Sequence, residues 1–352
     1  MRTFHCDKCG QLVFFENVRC ENCGSVLGYV PEQLAIFAFE GGTDGVLRSP
    51  ALSGRRFKKC INYAREDVCN WMLDADAPSE LCASCQLTRV IPALSSEKNR
   101  VYWQRLEAAK RRLLYSLWAL RLQPTPKLND PDAGLAFEFR EDMPGEHVMT
   151  GHADGVITIN IAEADPAFRE KTREQMGEPY RTLLGHFRHE SGHFYFDRLL
   201  DSGDWLARFR QHFGDEQQDY GACLQRHYDN GPPPDWSQNF VSAYASMHPW
   251  EDWAETWAHY LHMVDTLDTA FACGMTLKPK RPDEPELVIE EQPVRSNDFD
   301  DILNDWFALS YALNSLNRSV GMPDPYPFTL STPVIDKLRF VHDVVRSRAG
   351  HQ

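Results

Sequence analysis

Apolar residues recur at helical spacing between residues 96 and 122, with charged residues mostly between them. The apolar positions are Tyr102, Leu106, Ala109, Leu113, Leu117 and Leu120. This pattern predicts an amphipathic helix, and Pro124 and Pro126 would end it. The apolar face of such a helix can pack on its own domain or bind a partner, and packing on its own domain is favoured.

The stretch GVITINIA, residues 155–162, is short and β-branched and predicts a strand with Ile157, Ile159 and Ile161 on one face. A helix is predicted from Pro179 through Leu200, because proline suits a first helical turn. Another is predicted to begin just after Pro249. The fold class expected from these elements is α+β and mainly helical.

The C-terminal third predicts two more helices, over residues 300–321 and 334–350, ending near Gly321 and at Gly350. Between the helices near Pro249 and residue 300, the charged, proline-rich residues 276–297 predict a long loop. Residues 40–54 (EGGTDGVLRSPALSG) predict a linker or loop for the same reason.

The composition is that of a folded chain: 352 residues, 42% apolar and 12% aromatic, enough for two or three domains. The net charge of −14 argues against nucleic-acid binding by the whole chain. Two basic clusters are interpreted as solvated faces, with phosphate contact as the alternative: Arg55, Arg56, Lys58 and Lys59, and Arg105, Lys110, Arg111 and Arg112. No apolar run could span a bilayer and no signal core opens the chain, so a cytoplasmic location is expected.

Eight of the ten cysteines lie in the first 85 residues. In a reducing compartment, clustered thiols indicate metal more often than disulfide. The first cluster has two CxxCG turns, which deliver four thiolates to a tetrahedral zinc. Its cysteines are Cys6, Cys9, Cys20 and Cys23. The glycine after each turn allows the backbone to turn back. Disulfide and redox roles are the weaker alternatives.

The second cluster is spaced more loosely and predicts a second structural zinc. Its members are Cys60, Cys69, Cys82 and Cys85. The alternative is that Cys60 and Cys69 are merely buried thiols. Cys223 and Cys273 stand alone and are expected to be core or surface residues. Sites made only of thiolates leave no position for a substrate, so both modules are expected to be structural.

The stretch RHESGHFYF contains His189 and His193 four residues apart, so on a helix both rings can reach one metal. Glu190 would then lie close to a metal-bound water, which suits a general base. Because HExxH also arises by chance, a third ligand is needed. Arg181 and Arg188, beside this motif, could steer a substrate carboxylate or hold the helix in place.

The third ligand is expected in AYASMHPWEDWAETWAHY, residues 243–260. Glu251 and Glu255 are again four apart, so one could bind zinc while the other accepts the ring N–H of a ligand histidine. Three nearby tryptophans make this an apolar setting, in which buried carboxylates need a partner. Asp197, four after His193, is a further candidate for holding a histidine, or for replacing Glu251 as ligand.

HESGH followed by EDWAETWA resembles the gluzincin group of zinc metallopeptidases. It resembles more closely the anthrax lethal factor group, in which a tyrosine, here Tyr244, precedes the ligand glutamate by seven residues. With its two cysteine clusters, nearly the whole chain resembles bacterial zinc-ribbon proteins described as zinc-binding metallopeptidases. This resemblance implies a zincin-like domain over residues 96–352, preceded by modules at 1–29 and 50–95.

The resemblance also implies roles for single residues. His189, His193 and Glu251 would bind a catalytic Zn²⁺, and Glu190 would be the base in peptide-bond hydrolysis. Glu255 would hold a ligand histidine, and Tyr244 would donate to the oxyanion. The strand before the active helix would pair with the substrate backbone, a place that GVITINIA occupies here.

The partner expected is a peptide or protein substrate, which the ribbons could recruit; neither a membrane nor nucleic acid is expected. Two alternatives share these residues. One is a non-catalytic adaptor built on the ribbons, and the other is a zinc amidase acting on a non-protein amide. An intact base at Glu190 favours an enzyme.

Overall fold

The computed structural model describes residues 2–42, 45–201 and 204–349. It divides into two compact units, Met1–Ala119 with Gln123–Arg169 and Leu120–Leu122 with Glu170–Gln352. Helix outweighs strand, so the expected mixture of α and β structure with more helix is confirmed. The domain limits at 1–29, 50–95 and 96–352 stay predictions.

The first unit opens with two short antiparallel strands, β1 (Phe4–His5) and β2 (Leu12–Val13), around the first CxxC turn. Gly10 and Gly24, which follow the two turns, have φ of +74° and +72°. Their amides donate to the carbonyls of Cys6 and Cys20 at 2.8 Å. Glycine tolerates this left-handed conformation, so the expected reversal of the backbone is confirmed.

A five-stranded antiparallel sheet follows, with its strands in chain order. They are β3 (Val26–Val30), β4 (Ala35–Gly41), β5 (Leu47–Arg48), β6 (Phe57–Lys59) and β7 (Met72–Asp74), with helix α1 (Ile61–Ala64) between the last two. The prediction of a linker over 40–54 is therefore wrong for the end of β4 and for β5. Thr43 and Asp44 lie outside the described residues.

A second sheet has the order β10-β11-β9-β8. Its elements, with the intervening helix α2, are β8 (Thr88–Val90), α2 (Glu97–Ala119), β9 (Ala136–Arg140), β10 (Gly151–Ala153) and β11 (Val156–Asn160). GVITINIA forms β11, as predicted, except that Ile161 begins a 3-10 turn. Because β11 pairs with β10 on one side and β9 on the other, its backbone is already used. The expected pairing of this strand with substrate is therefore wrong.

Helix α2 buries its predicted apolar face. The interpretation of its basic cluster as solvated is wrong for Lys110 and Arg111, which are buried. Lys110 Nζ lies 2.8 Å from Glu107 Oε2 and donates to the Ser84 carbonyl at 2.9 Å, while Arg111 donates to the Val68 carbonyl. These partners satisfy charges that a helical pattern alone assigns to solvent. The other two members, Arg105 and Arg112, are exposed.

Helix α3 (Pro166–Met176) contains the division between the units, and helices make up most of the second. These are α4 (Leu183–Leu199), α5 (Trp205–Phe213), α6 (Tyr220–Asn230), α7 (Pro249–Ala272), α8 (Phe299–Ser319) and α9 (Thr332–Ala349). The segment 276–297 is not only loop, since strands β12 (Thr276–Leu277) and β13 (Leu287–Val288) pair within it. Gly350 lies outside the described residues. Within those residues, no helix is long and apolar enough to cross a membrane.

Helices α4 and α7 approach very closely at Gly192. A Cβ at this position would lie 2.9 Å from the Ala254 Cα, so a larger residue would push the helices apart. Two buried indoles of α7 fix the contact, because Trp253 Nε1 donates to the Gly192 carbonyl at 2.8 Å and Trp257 Nε1 donates to Ser191 Oγ at 3.1 Å. Two of the three tryptophans noted in the sequence therefore hold the HESGH helix.

Candidate metal centre

Local capping fixes the start of the helix that carries the two histidines. Helix α4 begins at Leu183, not at Pro179, because Thr182 Oγ1 accepts from the Gly185 amide at 3.0 Å. One helical turn separates His189 from His193, so both rings project from one face and their centroids lie 4.9 Å apart.

The helix that carries the two glutamates is also capped. His248 Nδ1 accepts from the Trp250 amide at 3.1 Å, and Pro249 occupies the first helical position. The other ring nitrogen of His248 donates to the Gln218 carbonyl at 3.1 Å. His248 is thus structural, and it sets the start of the turn that presents Glu251.

Three ligand atoms meet between α4 and α7. His189 Nε2 lies 3.2 Å from His193 Nε2, and Glu251 Oε2 lies 3.0 Å and 3.4 Å from these nitrogens. Two ligands of a tetrahedral zinc with bonds of about 2.0–2.1 Å are about 3.3–3.4 Å apart. Glu251 Oε2 is buried and makes no hydrogen bond with the described residues. The three residues therefore fit a zinc ion.

The tautomer of His189 suits metal binding. Its Nδ1–H donates to Glu255 Oε1 at 2.6 Å, and Ser242 Oγ donates to the other oxygen of that carboxylate at 2.6 Å. A proton on Nδ1 leaves the lone pair of Nε2 directed at Glu251 and His193. The sequence predicted that Glu255 would hold a ligand histidine, and the structure brings the two together.

The charges of the site favour a cation. Burial lowers the pKa of His189, but the adjacent carboxylates of Glu251 and Glu255 outweigh it and hold that pKa well above its ordinary value. Burial raises the pKa of Glu251, yet His193 and His189 hold it below its ordinary range. Two carboxylates thus attract positive charge to this point, which a proton or a metal ion can supply.

Two tyrosines and Glu190 complete the surroundings. The ring of Tyr244 lies 6.1 Å from that of His189, and Tyr220 donates to Glu251 Oε1 at 2.9 Å. Burial, and then the charge of Glu251, raise the pKa of both phenols, and Glu190 adds to both shifts. Glu190 is 6% exposed. The structure therefore gathers the predicted base and the predicted oxyanion donor around the three ligand atoms.

Sequence reasoning missed Tyr220 and Ser242. Tyr220 lies at the start of α6, a helix that the sequence analysis did not predict, 31 residues before the glutamate it contacts. Ser242 lies in an irregular segment before α7. Neither belongs to a motif of regular spacing. The one available signal was the need of a buried carboxylate for donors.

Asp197 is not part of the site. Its side chain is 56% exposed and lies 3.8 Å from Arg198 Nη1. It was predicted to hold a ligand histidine or to replace Glu251, and both predictions are wrong because its side chain is exposed and its carboxylate does not join the three ligand atoms. Arg188 holds the helix in place, since it is buried and lies 2.8 Å from Asp265 of α7. Arg181 lies 3.0 Å from Glu178.

The cysteines of the first unit gather in two tetrads. Cys6 and Cys23 sulfurs are 3.7 Å apart, and those of Cys9 and Cys20 are 3.6 Å apart. The second tetrad, Cys60, Cys69, Cys82 and Cys85, is fully buried, with a Cys69–Cys82 sulfur distance of 3.7 Å. Thiolates around zinc at about 2.3 Å are about 3.8 Å apart, whereas disulfide sulfurs are about 2.0 Å apart. Both tetrads therefore fit zinc. As expected of residues outside the clusters, Cys223 is buried and Cys273 is exposed.

Comparison with known families agrees with these groupings. A model described as "Putative zinc-binding metallo-peptidase" matches residues 99–344. The chain belongs to this family. A zinc-ribbon domain model matches residues 3–96, so the zinc-binding metallo-peptidase domain is preceded by a zinc-ribbon domain. Membership supports zinc binding and a general metallopeptidase role.

Relatives of this chain occur in mycobacteria. An uncharacterized protein of Mycobacterium bovis and one of Mycobacterium tuberculosis are each 44% identical over 346 residues, covering 98% of this chain and 95% of the relative. No solved structure matches the chain.

Proposed function

We propose that the chain is a zinc-dependent peptidase of the gluzincin type, with His189, His193 and Glu251 as ligands. The observation that carries the proposal is the meeting of three ligand atoms within 3.4 Å of one another, with Glu255 holding one of the histidines. The two cysteine tetrads add structural sites, for three zinc ions per chain.

Zinc at the His–Glu site would supply Lewis acidity toward water and the substrate carbonyl. Glu190 takes a proton from the attacking water, whose oxygen bonds to the carbonyl carbon. When the C–N bond breaks, Glu190 passes that proton to the leaving amine. One water is consumed, and a carboxylic acid and an amine are released.

Tyr244 serves as a hydrogen-bond donor to the developing oxyanion. Burial and the charge of Glu251 raise the pKa of its hydroxyl, so it stays protonated throughout the neutral range. A protonated phenol near the reacting carbonyl stabilises charge that is stronger in the transition state than in the substrate. Tyr220 and Ser242 touch the ligand Glu251 and its neighbour Glu255, so they position the centre.

The order of the motifs supports this proposal. Tyr244 lies seven residues before Glu251 and the tail of the motif reads EDWAETWA, a pattern similar to that of the anthrax lethal factor group. We infer a zincin-like peptidase domain, a peptide or protein substrate, and ribbons that recruit it. Neither a membrane nor nucleic acid is needed as a partner.

Glu190→Gln tests the mechanism. The amide cannot accept the proton from water, so cleavage of a fluorogenic peptide library should fall by a factor of about 10² or more. Zinc should stay at three ions per chain by elemental analysis, because Glu190 is not a ligand. The matched control is Asp197→Asn, the same chemical change at an exposed position of the same helix, which should keep its activity.

Cleavage that survives in Glu190→Gln would contradict the mechanism. A zinc-loaded wild type that cleaves no peptide would favour the adaptor if it also spares small amides. It would favour the amidase if it hydrolyses them. In a His189→Ala/His193→Ala variant the zinc content should fall from three ions to two. An unchanged content would mean that the His–Glu site binds no zinc.

A further inference from the structure

A cavity of about 280 Å³ lies next to the candidate metal centre within the second unit. One wall is the C-terminal half of α6, and the opposite wall is the segment just after Tyr244. The ring of His227 lines the cavity and lies 6.1 Å from the Tyr244 ring, which is itself 6.1 Å from the His189 ring. The cavity is therefore one aromatic ring beyond the predicted oxyanion donor.

The lining of this cavity has one permanent charge, and that charge is positive. Its residues are Cys223, Arg226, His227, Asn230, Gly231, Pro232, Pro233, Pro234, Ser246 and Met247. No carboxylate is among them, although the chain as a whole has a net charge of −14. The cavity thus offers a local cation on a protein that otherwise repels acidic ligands.

Arg226 differs from other arginines of this unit in its partner. Arg188 lies 2.8 Å from Asp265, and Arg210 lies 2.5 Å from Glu216. Arg226 Nη2 instead contacts the Cys223 sulfur at 3.0 Å, and no carboxylate of the described residues lies within ion-pair distance. A thiol is a weak acceptor, so most of the guanidinium donors stay available for a stronger one.

Asn230 adds a second donor on the same side of the helix. It follows Arg226 by four residues on α6, so the two side chains share a face, and both line the cavity. A guanidinium beside a carboxamide matches a carboxylate, whose oxygens accept several hydrogen bonds. The space is sufficient for an aspartate or glutamate side chain.

We propose that this cavity binds a carboxylate of the peptide substrate and makes the peptidase selective for acidic peptides, an inference that rests on the proposed function. Two ring separations of 6.1 Å place His227 within about 12 Å of His189. An extended peptide spans about 3.3–3.6 Å per residue, so the bound carboxylate lies within about three residues of the scissile bond. It comes from an acidic side chain or from a free C-terminus.

The test uses the zinc-loaded full chain and pairs of fluorogenic peptides that differ only in Glu or Gln at each position around the cleaved bond. We expect kcat/KM to favour the Glu peptide by about fivefold at one position, the effect of a partly exposed ion pair. Arg226→Gln should abolish that ratio, and Arg226→Glu should reverse it in favour of a Lys peptide. Arg295→Gln, an exposed arginine that does not line the cavity, is the matched control.

A second comparison identifies the source of the carboxylate. If amidation of the peptide C-terminus lowers kcat/KM while Glu→Gln does not, the ligand is the chain terminus; the opposite result assigns it to a side chain. Added salt should weaken either preference. Equal turnover of all pairs by the wild type, with no change in Arg226→Gln, would overturn the carboxylate site and leave the peptidase intact.

A binding measurement separates this inference from the proposed function. Peptide anisotropy titrations with the Glu190→Gln protein should show tighter binding of the acidic peptide, and Arg226→Gln in that background should remove the difference. If this pattern holds while the wild type cleaves nothing, the cavity assignment stands and the peptidase function falls. If circular dichroism shows that Arg226→Glu does not fold, the kcat/KM ratio of the Glu and Gln peptides with the wild-type protein still tests the carboxylate site.

Discussion

The cysteine tetrads and the His–Glu centre both fit zinc, but different structures surround them. In the first unit the thiols lie beside strands of two or three residues, β1, β2, β6 and β7. In the second, the ligands lie on helices of 17 and 24 residues, α4 and α7. The cysteines thus stand beside short strands and turns, whereas the helices that carry the histidines and Glu251 bury large tryptophans against each other.

This difference indicates whether zinc organises the fold around each site or the fold organises the ligands for zinc. Metal binding to a site that does not exist in the unfolded chain is folding free energy, and four thiolates close such a site completely. Around the His–Glu centre, packing and hydrogen bonds already orient the side chains. We therefore expect zinc to build the tetrads, and the fold of the second unit to build the His–Glu centre.

The largest effect should come from removing one ligand of each kind. Cys85→Ser takes a thiolate from the buried second tetrad, and structural zinc is worth about 10–16 kcal/mol in small zinc-finger peptides. We expect loss of one zinc and of amide-exchange protection in β6 and β7. His193→Ala should also lose one zinc but keep the protection of α4, measured by hydrogen exchange with mass spectrometry.

Cys273→Ser is the matched control, because that thiol is exposed and belongs to neither tetrad. It should keep all its zinc and its exchange pattern. If His193→Ala exposed α4 as thoroughly as Cys85→Ser exposes the strands, the distinction between the two kinds of site would fail.

The same contrast explains what the sequence could predict. Ligands recur at spacings set by local geometry, so CxxC turns, His189 with His193, and Glu251 with Glu255 were all visible in the sequence. Hydrogen-bond donors that come from distant segments stand at no regular sequence distance from the groups they contact. Tyr220 and Ser242 were missed because tertiary packing brings them to their partners, and Lys110 was assigned to solvent because its burial against the distant Ser84 carbonyl is likewise a tertiary feature.

Element types followed the same division. Helices α2, α8 and α9 have long periodic patterns and were predicted close to their observed limits, and for α7 the start was predicted. Short elements such as β5 and the β12–β13 pair lie in segments rich in Gly or Pro, where local composition favours loops and pairing with a neighbouring strand decides otherwise. Asp197 was misassigned because a spacing of four residues suggested the face of His193, whereas its side chain is mostly exposed.

A smaller effect should come from the helix contact itself. Gly192→Ala would place a methyl 2.9 Å from the Ala254 Cα, so α4 and α7 must separate. Overpacking of this kind costs about 1–3 kcal/mol, which chemical denaturation can measure. If the fold builds the His–Glu centre, this variant should also bind zinc there more weakly, although every ligand is intact.

Gly221→Ala provides the matched control for this contact. A Cβ there would lie 3.4 Å from Asp219 Oδ1, an ordinary contact within one helix start, so stability and zinc binding should stay near those of the wild type. A stable Gly192→Ala protein with unchanged zinc affinity would show that the close approach of the helices is not needed for the centre.

The smallest effect sought is that of a single hydroxyl. Tyr220→Phe keeps the ring beside His248 and Trp250, at centroid distances of 5.3 Å and 6.0 Å, but removes the donor to Glu251 Oε1. Groups that orient a metal ligand are worth about 10–100-fold in affinity, and we expect the lower end here because Glu251 stays oriented by its helix. Competition with a chromophoric chelator should show one of three zinc ions bound about tenfold more weakly.

The tetrads and the thermal stability should not respond to this substitution, because the hydroxyl donates to Glu251 of the His–Glu centre. Tyr228→Phe, on the same helix at a position 64% exposed, is the matched control and should change nothing. An unchanged affinity in Tyr220→Phe would mean that α7 alone orients Glu251. In that case the orientation of the ligands would depend on α4 and α7 alone, the two helices whose ligand spacing is visible in the sequence.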